Sequence, residues 1–306
     1  MKRASHPMST AHRHANYRVA DRDLKYYIFD WDDNILHMPT RIQLERRTED
    51  GTWIPHAVST SVFSIIRNDR RNYRPPQGDW EKAFAEFRDI PDAESAFLRD
   101  TRNAVRRVMS GDEKPAPSFL RFKQALIEGR LFAIVTARGH KPESIRRGVE
   151  YFISTVLTPE ERAEMLDNLR GYLECFQKGH GLERDEDVLA NYLDFNRYHP
   201  VTSPEFKSLM GRRQAATESP EEAKQFAIRD FLEHLLRIAR GIGLTRPISV
   251  GFSDDDPANV AAVEDYIRRE LAREFPGVKF VVYDTSDPDS PSGRKVVVQG
   301  QLKLSL

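Results

Sequence analysis

The chain has 306 residues, enough for one large domain or two ordinary ones with a sizeable core. Hydrophobic residues make up 39% and charged residues 31%, the composition of a soluble protein with a heavily charged surface. Lys+Arg and Asp+Glu both number 47, a zero balance that argues against a general nucleic-acid or membrane-surface binder while leaving room for a local basic patch. Cys175 is the only cysteine, which excludes a disulfide framework and a thiolate metal cluster. No apolar run approaches the length of a membrane span, and residues 1–23 lack the apolar core of a secretion signal. The expected compartment is a reducing cytoplasm.

Residues 1–23 hold His6, His12, His14 and several arginines with almost no apolar periodicity, which predicts a disordered basic arm. Tyr26-Tyr-Ile-Phe29 is then a short apolar run of the kind that forms a buried strand, followed at once by Asp30, Asp32 and Asp33. Carboxylates at the carboxyl end of such a strand sit where open α/β sheets place their ligands. Three like charges this close raise each other's pKa unless a cation neutralises them, and the simplest such cation is magnesium. The competing reading is an ordinary Asp-rich turn.

Residues 37–118 form a long segment before the next strong strand. An irregular polar stretch runs to Gly51, a basic piece carries Arg67, Arg70, Arg71 and Arg74, and Trp80 opens a helical pattern with Phe84, Phe87 and Phe97. The segment is too long and too aromatic for one loop and reads as a cap-like insertion whose aromatics form its core. Its arginines suit a phosphorylated substrate, but a solvated basic face accounts for them better. Ser118 is a candidate N-cap for a helix bearing Phe119, Phe122 and Leu126, with Gly129 as its stop. Leu131-Phe-Ala-Ile-Val135 has the continuous apolar character of a central parallel strand, ends in Thr136, and precedes a helix running to about Leu157.

Residues 158–218 read as a second insertion, opened by the capping pattern Thr158-Pro-Glu-Glu161. Ser219-Pro-Glu-Glu222 repeats that pattern and begins a long helix with Lys224 near its start. A strand from Pro247 ends in Asp254, Asp255 and Asp256, and Pro257 suits the first position of the next helix. Phe280-Val-Val-Tyr283 is a further strand, and Lys295–Val298 with Leu302–Leu306 form a terminal β piece. Strand, polar turn and helix in this rhythm predict an α/β fold built on a parallel sheet. In such a sheet Asp30, Asp32, Asp33, Thr136 and Asp254–Asp256 would converge on one edge, with Lys224 near it. Two carboxylate clusters, a divalent ion, a hydroxyl and an amine suit a phosphoryl group, whose phosphorus a carboxylate could attack.

Phe29-Asp-Trp-Asp-Asp-Asn-Ile-Leu36 resembles the first motif of the haloacid dehalogenase-like superfamily, an Asp-x-Asp-Gly-Thr-Leu after an apolar strand. Thr136 after Ile134-Val135 is similar to the second motif, Lys224 to the third and Ser253-Asp254-Asp255 to the fourth, all in order. The resemblance implies a Rossmann-like parallel core of residues 24–36, 119–157 and 219–306, with mostly helical caps at 37–118 and 158–218. It implies Asp30 as nucleophile, Asp32 as general acid and base, Thr136 on the phosphoryl group and Lys224 against the developing charge. It implies magnesium held by Asp30, the main-chain carbonyl of Asp32, and Asp254 and Asp255. Asp33-Asn34 departs from the usual Gly-Thr, Asn34 remaining able to hydrogen-bond substrate. Asp256 reads better as an N-cap, with Asp254 the preferred ligand, and Lys207 is the rival to Lys224.

Arg138 is a candidate contact to the phosphate or leaving group, whereas His37 and His140 read as polar loop residues and Cys175 as buried and inert. The implied function is a phosphatase acting on a small or medium phosphorylated substrate, with no membrane and no clear nucleic-acid partner. The alternatives are a catalytically weak member that binds a phosphorylated ligand or protein, and a phosphotransferase or mutase.

Overall fold

Leu24–Phe29 forms strand β1 because its side chains divide between two apolar layers, Leu24 and Ile28 joining one buried cluster and Phe29 the other. The computed structural model describes residues 23–91, 93–176, 182, 184–211, 219–243, 246–287, 290 and 293–299. The expected arm up to residue 22 and the Leu302–Leu306 piece lie outside the described residues.

The elements after β1 are β2 (Ile42–Arg47), β3 (Trp53–Val58), α1 (Thr60–Ile66), β4 (Tyr73–Arg74), α2 (Trp80–Ala83), α3 (Ala96–Ser110) and α4 (Phe119–Ile127). They continue with β5 (Phe132–Thr136), α5 (Pro142–Val156), α6 (Pro159–Phe176), α7 (Asp185–Phe195), β6 (Arg197–Pro200) and α8 (Pro204–Gly211). The last are α9 (Pro220–Gly241), β7 (Ile248–Asp254), α10 (Pro257–Tyr266), β8 (Val278–Asp284) and β9 (Arg294–Gln299). Six strands make one sheet in the order β6-β5-β1-β7-β8-β9, parallel throughout except at the β8–β9 edge.

From β1 the chain moves outward through β5 and β6, then returns across β1 to build β7 and β8. The sheet therefore has its topological switch beside β1, and the crevice at the carboxyl ends of β1, β5 and β7 opens there. In register, Phe29 stands opposite Ile134 of β5 and Ser253 of β7, so Asp30, Thr136 and Asp254 leave the sheet at nearly one level.

Alternation along β5 sends Ala133 and Val135 to the layer that holds Phe206 of α8, Phe231 of α9 and Val260 of α10. Phe132 and Ile134 face the other layer, with Phe97 of α3, Phe122 of α4, Ile145 of α5, Met165 of α6 and Tyr192 of α7. The arrangement is a Rossmann-like α/β sandwich with helices on both faces. The predicted caps are present: Thr158 and Glu161 exchange the bonds of a capping box, Ser219 accepts from the Glu222 N–H, and Asp256 accepts from the Ala258 N–H. Ser118 does not cap α4; its hydroxyl is taken by Ser253 at 2.6 Å.

Two insertions differ from their expected form. The stretch before Gly51, expected to be irregular, is strand β2, and β3-β2-β4 form an antiparallel sheet around Ile42, Leu44, Val58, Ala83 and Phe87, so the first insertion carries a small sheet beside its helices. Only Ile42 and Leu44 supply the period of two in β2, too short an alternation to stand out among charged neighbours. Helix α3, within 37–118, packs in the main core, and β6, within 158–218, is an edge strand of the main sheet. The polar sequence Arg197-Tyr-His-Pro200 hides that strand, and the sheet edge tolerates it. Cys175 is half-buried rather than buried.

Helices α3 and α5 approach closely at Gly148, where an added Cβ would sit well inside contact distance of the Phe97 ring. Phe97 is fully buried, so it cannot swing away. Gly148→Ala should therefore lower stability by about 1–2 kcal/mol in urea denaturation, overpacking exceeding the gain in helix propensity. A stabilised variant would contradict this packing.

Candidate active site

The β1 ladder continues one residue past the strand, the Asp30 N–H donating to the Ser253 carbonyl at 2.9 Å. The chain then turns sharply, with the N–H groups of Ile35 and Leu36 both donating to the Trp31 carbonyl. Asp33 takes the left-handed conformation this turn needs, at φ 52°, which is uncommon outside glycine but tolerated by Asp. Asn34 pins the turn from inside: Nδ2 donates to the carbonyls of Asp30 (2.9 Å) and Ser253 (3.2 Å). Its Oδ1 accepts from the hydroxyls of Ser253 (2.9 Å) and Thr285 (2.8 Å). Fully buried and fully engaged, Asn34 does not face the cleft, which corrects its reading as a substrate contact.

Four separate segments now meet. Asp30 and Asp32 come from the turn after β1, Thr136 and Arg138 from the end of β5, Lys224 from the second turn of α9, and Asp254 and Asp255 from the end of β7. All seven line one cleft of about 400 Å³, and all but the half-buried Asp255 are buried. The insertion adds Phe63, Arg67, Trp80, Phe84 and Arg88 to its lining. A separate apolar cavity of about 110 Å³ lies at the amino ends of β1 and β5, around Leu24 and Leu131, away from every acid of the cleft.

Lys224 bridges two of the acids, its Nζ lying 3.0 Å from Asp30 Oδ1 and 2.6 Å from Asp254 Oδ2. Burial works against its charge, but Asp254 and Asp30 outweigh that and hold the ammonium above its usual range. Lys207 lines the same cleft but is exposed, so geometry separates the two candidate lysines. Burial pushes the Asp30 carboxyl up to about 8, opposed by Lys224 and reinforced by Asp254 and Asp32. Burial, then Asp254, Asp30 and Asp33, hold Asp255 well above the usual carboxylate range. Four acids, Asp30, Asp32, Asp254 and Asp255, face two cations, Lys224 and Arg138, and the cleft floor is short of positive charge.

Arg138 does not point into open space for a phosphate. It is fully buried between the Phe87 and Phe97 rings, and its Nε and one Nη grip Asp32 at 2.8 and 2.5 Å. The same Nη donates to Thr40 Oγ1 at 2.8 Å, and Thr40 donates on to Asp100 at 2.7 Å. Thr136 Oγ1 completes the enclosure of Asp32 at 3.3 Å. The contact expected between Arg138 and a substrate is replaced by a clamp on Asp32. Thr40 and Asp100 carried no sequence signal, because their partners lie 98 and 60 residues away.

Asp33 serves the turn and the insertion rather than the cleft. Burial opposes its charge, but His37 Nδ1 at 2.9 Å and Thr60 Oγ1 at 2.6 Å outweigh it and hold the carboxyl below its usual range. Arg67 reaches Asp256 at 3.2 Å, a second tie between α1 and the acidic edge. Asp254 Oδ1 accepts from the Asp256 N–H and from Asn259 Nδ2, so this side chain is already committed on both oxygens.

Asp254, the expected first ligand, would have to give up one of these partners to bind a hard cation, which leaves Asp30 and Asp255, with the Asp32 main-chain carbonyl, as the groups that could hold one. As they stand, no three acidic, histidine or cysteine side chains among the described residues form a ready-made metal site.

His140, expected in a polar loop, is fully buried beside Phe97, and neither ring nitrogen has a hydrogen-bond partner. Burial, then the neighbouring Arg138 charge, pushes its pKa down to about 3. The folded protein keeps this ring neutral while the unfolded chain protonates it below its ordinary value of about 6.5. Its contribution to stability is therefore flat above that pH and falls as pH drops toward 3. Denaturation measured from pH 7 to 4 should show a shallower acid loss in His140→Leu than in the wild type; equal slopes would contradict a buried neutral imidazole.

Among the described residues no helix is long and apolar enough to cross a membrane. Comparison of the chain with protein-family models, with curated proteins and with solved structures finds nothing that matches it.

Proposed function

We propose that the chain is a phosphatase of the haloacid dehalogenase-like superfamily, hydrolysing a phosphate monoester through an aspartyl-phosphate on Asp30. One observation carries the reading: Lys224, from a helix 194 residues beyond Asp30, is held 3.0 Å from its carboxylate in a cleft that Asp32, Thr136, Asp254 and Asp255 also line. The donor chemistry fits magnesium, since every available group is an oxygen and the floor is short of positive charge. Bound by Asp30, Asp255 and the Asp32 carbonyl, with Asp254 beside them, magnesium would supply positive charge to the phosphoryl oxygens and keep Asp30 ionised.

The residues then divide the work. An Asp30 oxygen bonds to phosphorus as the bond from phosphorus to the ester oxygen breaks, and a proton from Asp32 goes to that departing oxygen. Water then attacks the phosphorus of the acyl phosphate, its proton returns to Asp32, and Asp30 leaves as a free carboxylate. Lys224 offsets the charge on Asp30 and the phosphoryl group, and the Thr136 hydroxyl would turn from Asp32 to donate to a phosphoryl oxygen.

The clamp of Arg138 on both oxygens of Asp32 favours a second reading, in which Asp32 cannot shuttle protons and the cleft only binds a phosphorylated ligand. Purified protein assayed with magnesium, p-nitrophenyl phosphate and a panel of phosphorylated metabolites decides between them. Turnover abolished in Asp30→Asn supports the phosphatase; ligand binding with no turnover of any ester supports the binding protein.

A further inference from the structure

We infer that the substrate of this cleft is a small phosphate monoester whose leaving group carries a flat aromatic ring, an inference that rests on the phosphate-binding reading of the same site. Trp80 is 46% exposed, and its indole lines the cleft rather than the core of the insertion. It belongs to a cluster of three rings: Phe63 stands edge-on to Trp80 at 6.1 Å and to Phe84 at 5.5 Å, and Trp80 is near-parallel to Phe84 at 6.0 Å. Phe63 and Phe84 pack in turn against the buried residues of the insertion, so the platform is held from behind.

An open indole on a rigid backing is a stacking surface that needs no rearrangement to receive a ring. Arg67, one helical turn beyond Phe63, reaches across to Asp256 and ties the platform to the acidic edge. Platform and acids therefore line one and the same cleft of about 400 Å³, the size class of small-molecule sites. A phosphoryl group at the acids and a ring on Trp80 would share that cleft. A ring-free ester leaves the indole in water.

Calorimetric titration of the Asp30→Asn protein in magnesium buffer tests this without turnover, using adenosine monophosphate, phenyl phosphate and glycerol phosphate. The two ring-bearing esters should bind about tenfold tighter than glycerol phosphate, the scale of one stacked ring. The tighter of the two identifies a nucleoside or a simple aryl source. Adding Trp80→Ala should erase the difference and leave glycerol phosphate binding unchanged, while Trp80→Phe should retain part of it; both changes fall on an exposed residue. Equal affinity for all three esters would overturn the inference and leave the phosphatase reading intact. Binding of none of them would overturn both.

Discussion

Asp30→Asn should reduce turnover of p-nitrophenyl phosphate by roughly a thousandfold or more, because on the proposed mechanism it removes the covalent nucleophile, and with it the intermediate itself and not one contact among several. The substitution keeps the size and shape of the side chain, and the Lys224 to Asp254 contact at 2.6 Å survives it, so the fold should persist. An unchanged melting temperature beside lost turnover would separate a chemical effect from unfolding. Asp32→Asn should behave differently: it leaves the nucleophile in place and slows both proton transfers, costing roughly a hundred- to ten-thousandfold. Equal residual rates in the two variants at the wild-type level would remove both residues from the chemistry.

The largest loss of stability is expected from Lys224→Met. Its ammonium is buried between Asp30 and Asp254, and deleting it strands two carboxylates that Asp32 and Asp255 already crowd. Breaking a buried ion pair by removing one partner costs about 3–5 kcal/mol, and here two pairs share the partner. Proton uptake by Asp30, already pushed up to about 8, offsets part of that cost near neutral pH. The variant should therefore lose more stability as pH rises from 7 to 9, whereas replacing a surface lysine, charged throughout that range, would cost the same at both values. Urea denaturation at the two pH values measures this directly, and a loss independent of pH would contradict the bridging geometry. Magnesium added to the same variant should recover stability, since a divalent ion replaces the missing positive charge on the floor.

The frame of the site could be read from residues because its signals are local. Tyr26–Phe29 announces a buried strand, Asp30 and Asp32 its polar end, and Ser219-Pro-Glu-Glu222 the helix start that brings Lys224 to the cleft. What escaped the sequence depends on partners far along the chain. Asn34 looks like a substrate contact until Ser253 and Thr285 close around it, and Ser118 looks like an N-cap until the same Ser253 takes its hydroxyl. Arg138 was legible as a cation near phosphate but not as the holder of Asp32, since Phe87, Phe97 and Thr40 that enclose it all come from the insertion side of the chain. Strand β6 was hidden for another reason. A sheet edge asks less apolar character of its residues than a central strand does, and a polar edge strand imitates a loop.

Hydrolysis by the proposed route requires that phosphorus become bonded to Asp30. Wild-type protein turning over a phosphate monoester with magnesium can be quenched in acid, reduced with borohydride, and its peptides weighed. A carboxyl caught as an acyl phosphate is converted to an alcohol, so homoserine should appear at position 30 and at no other aspartate, and only when substrate is present. Sustained turnover with residue 30 recovered as unmodified aspartate at every quench time would contradict an aspartyl-phosphate route.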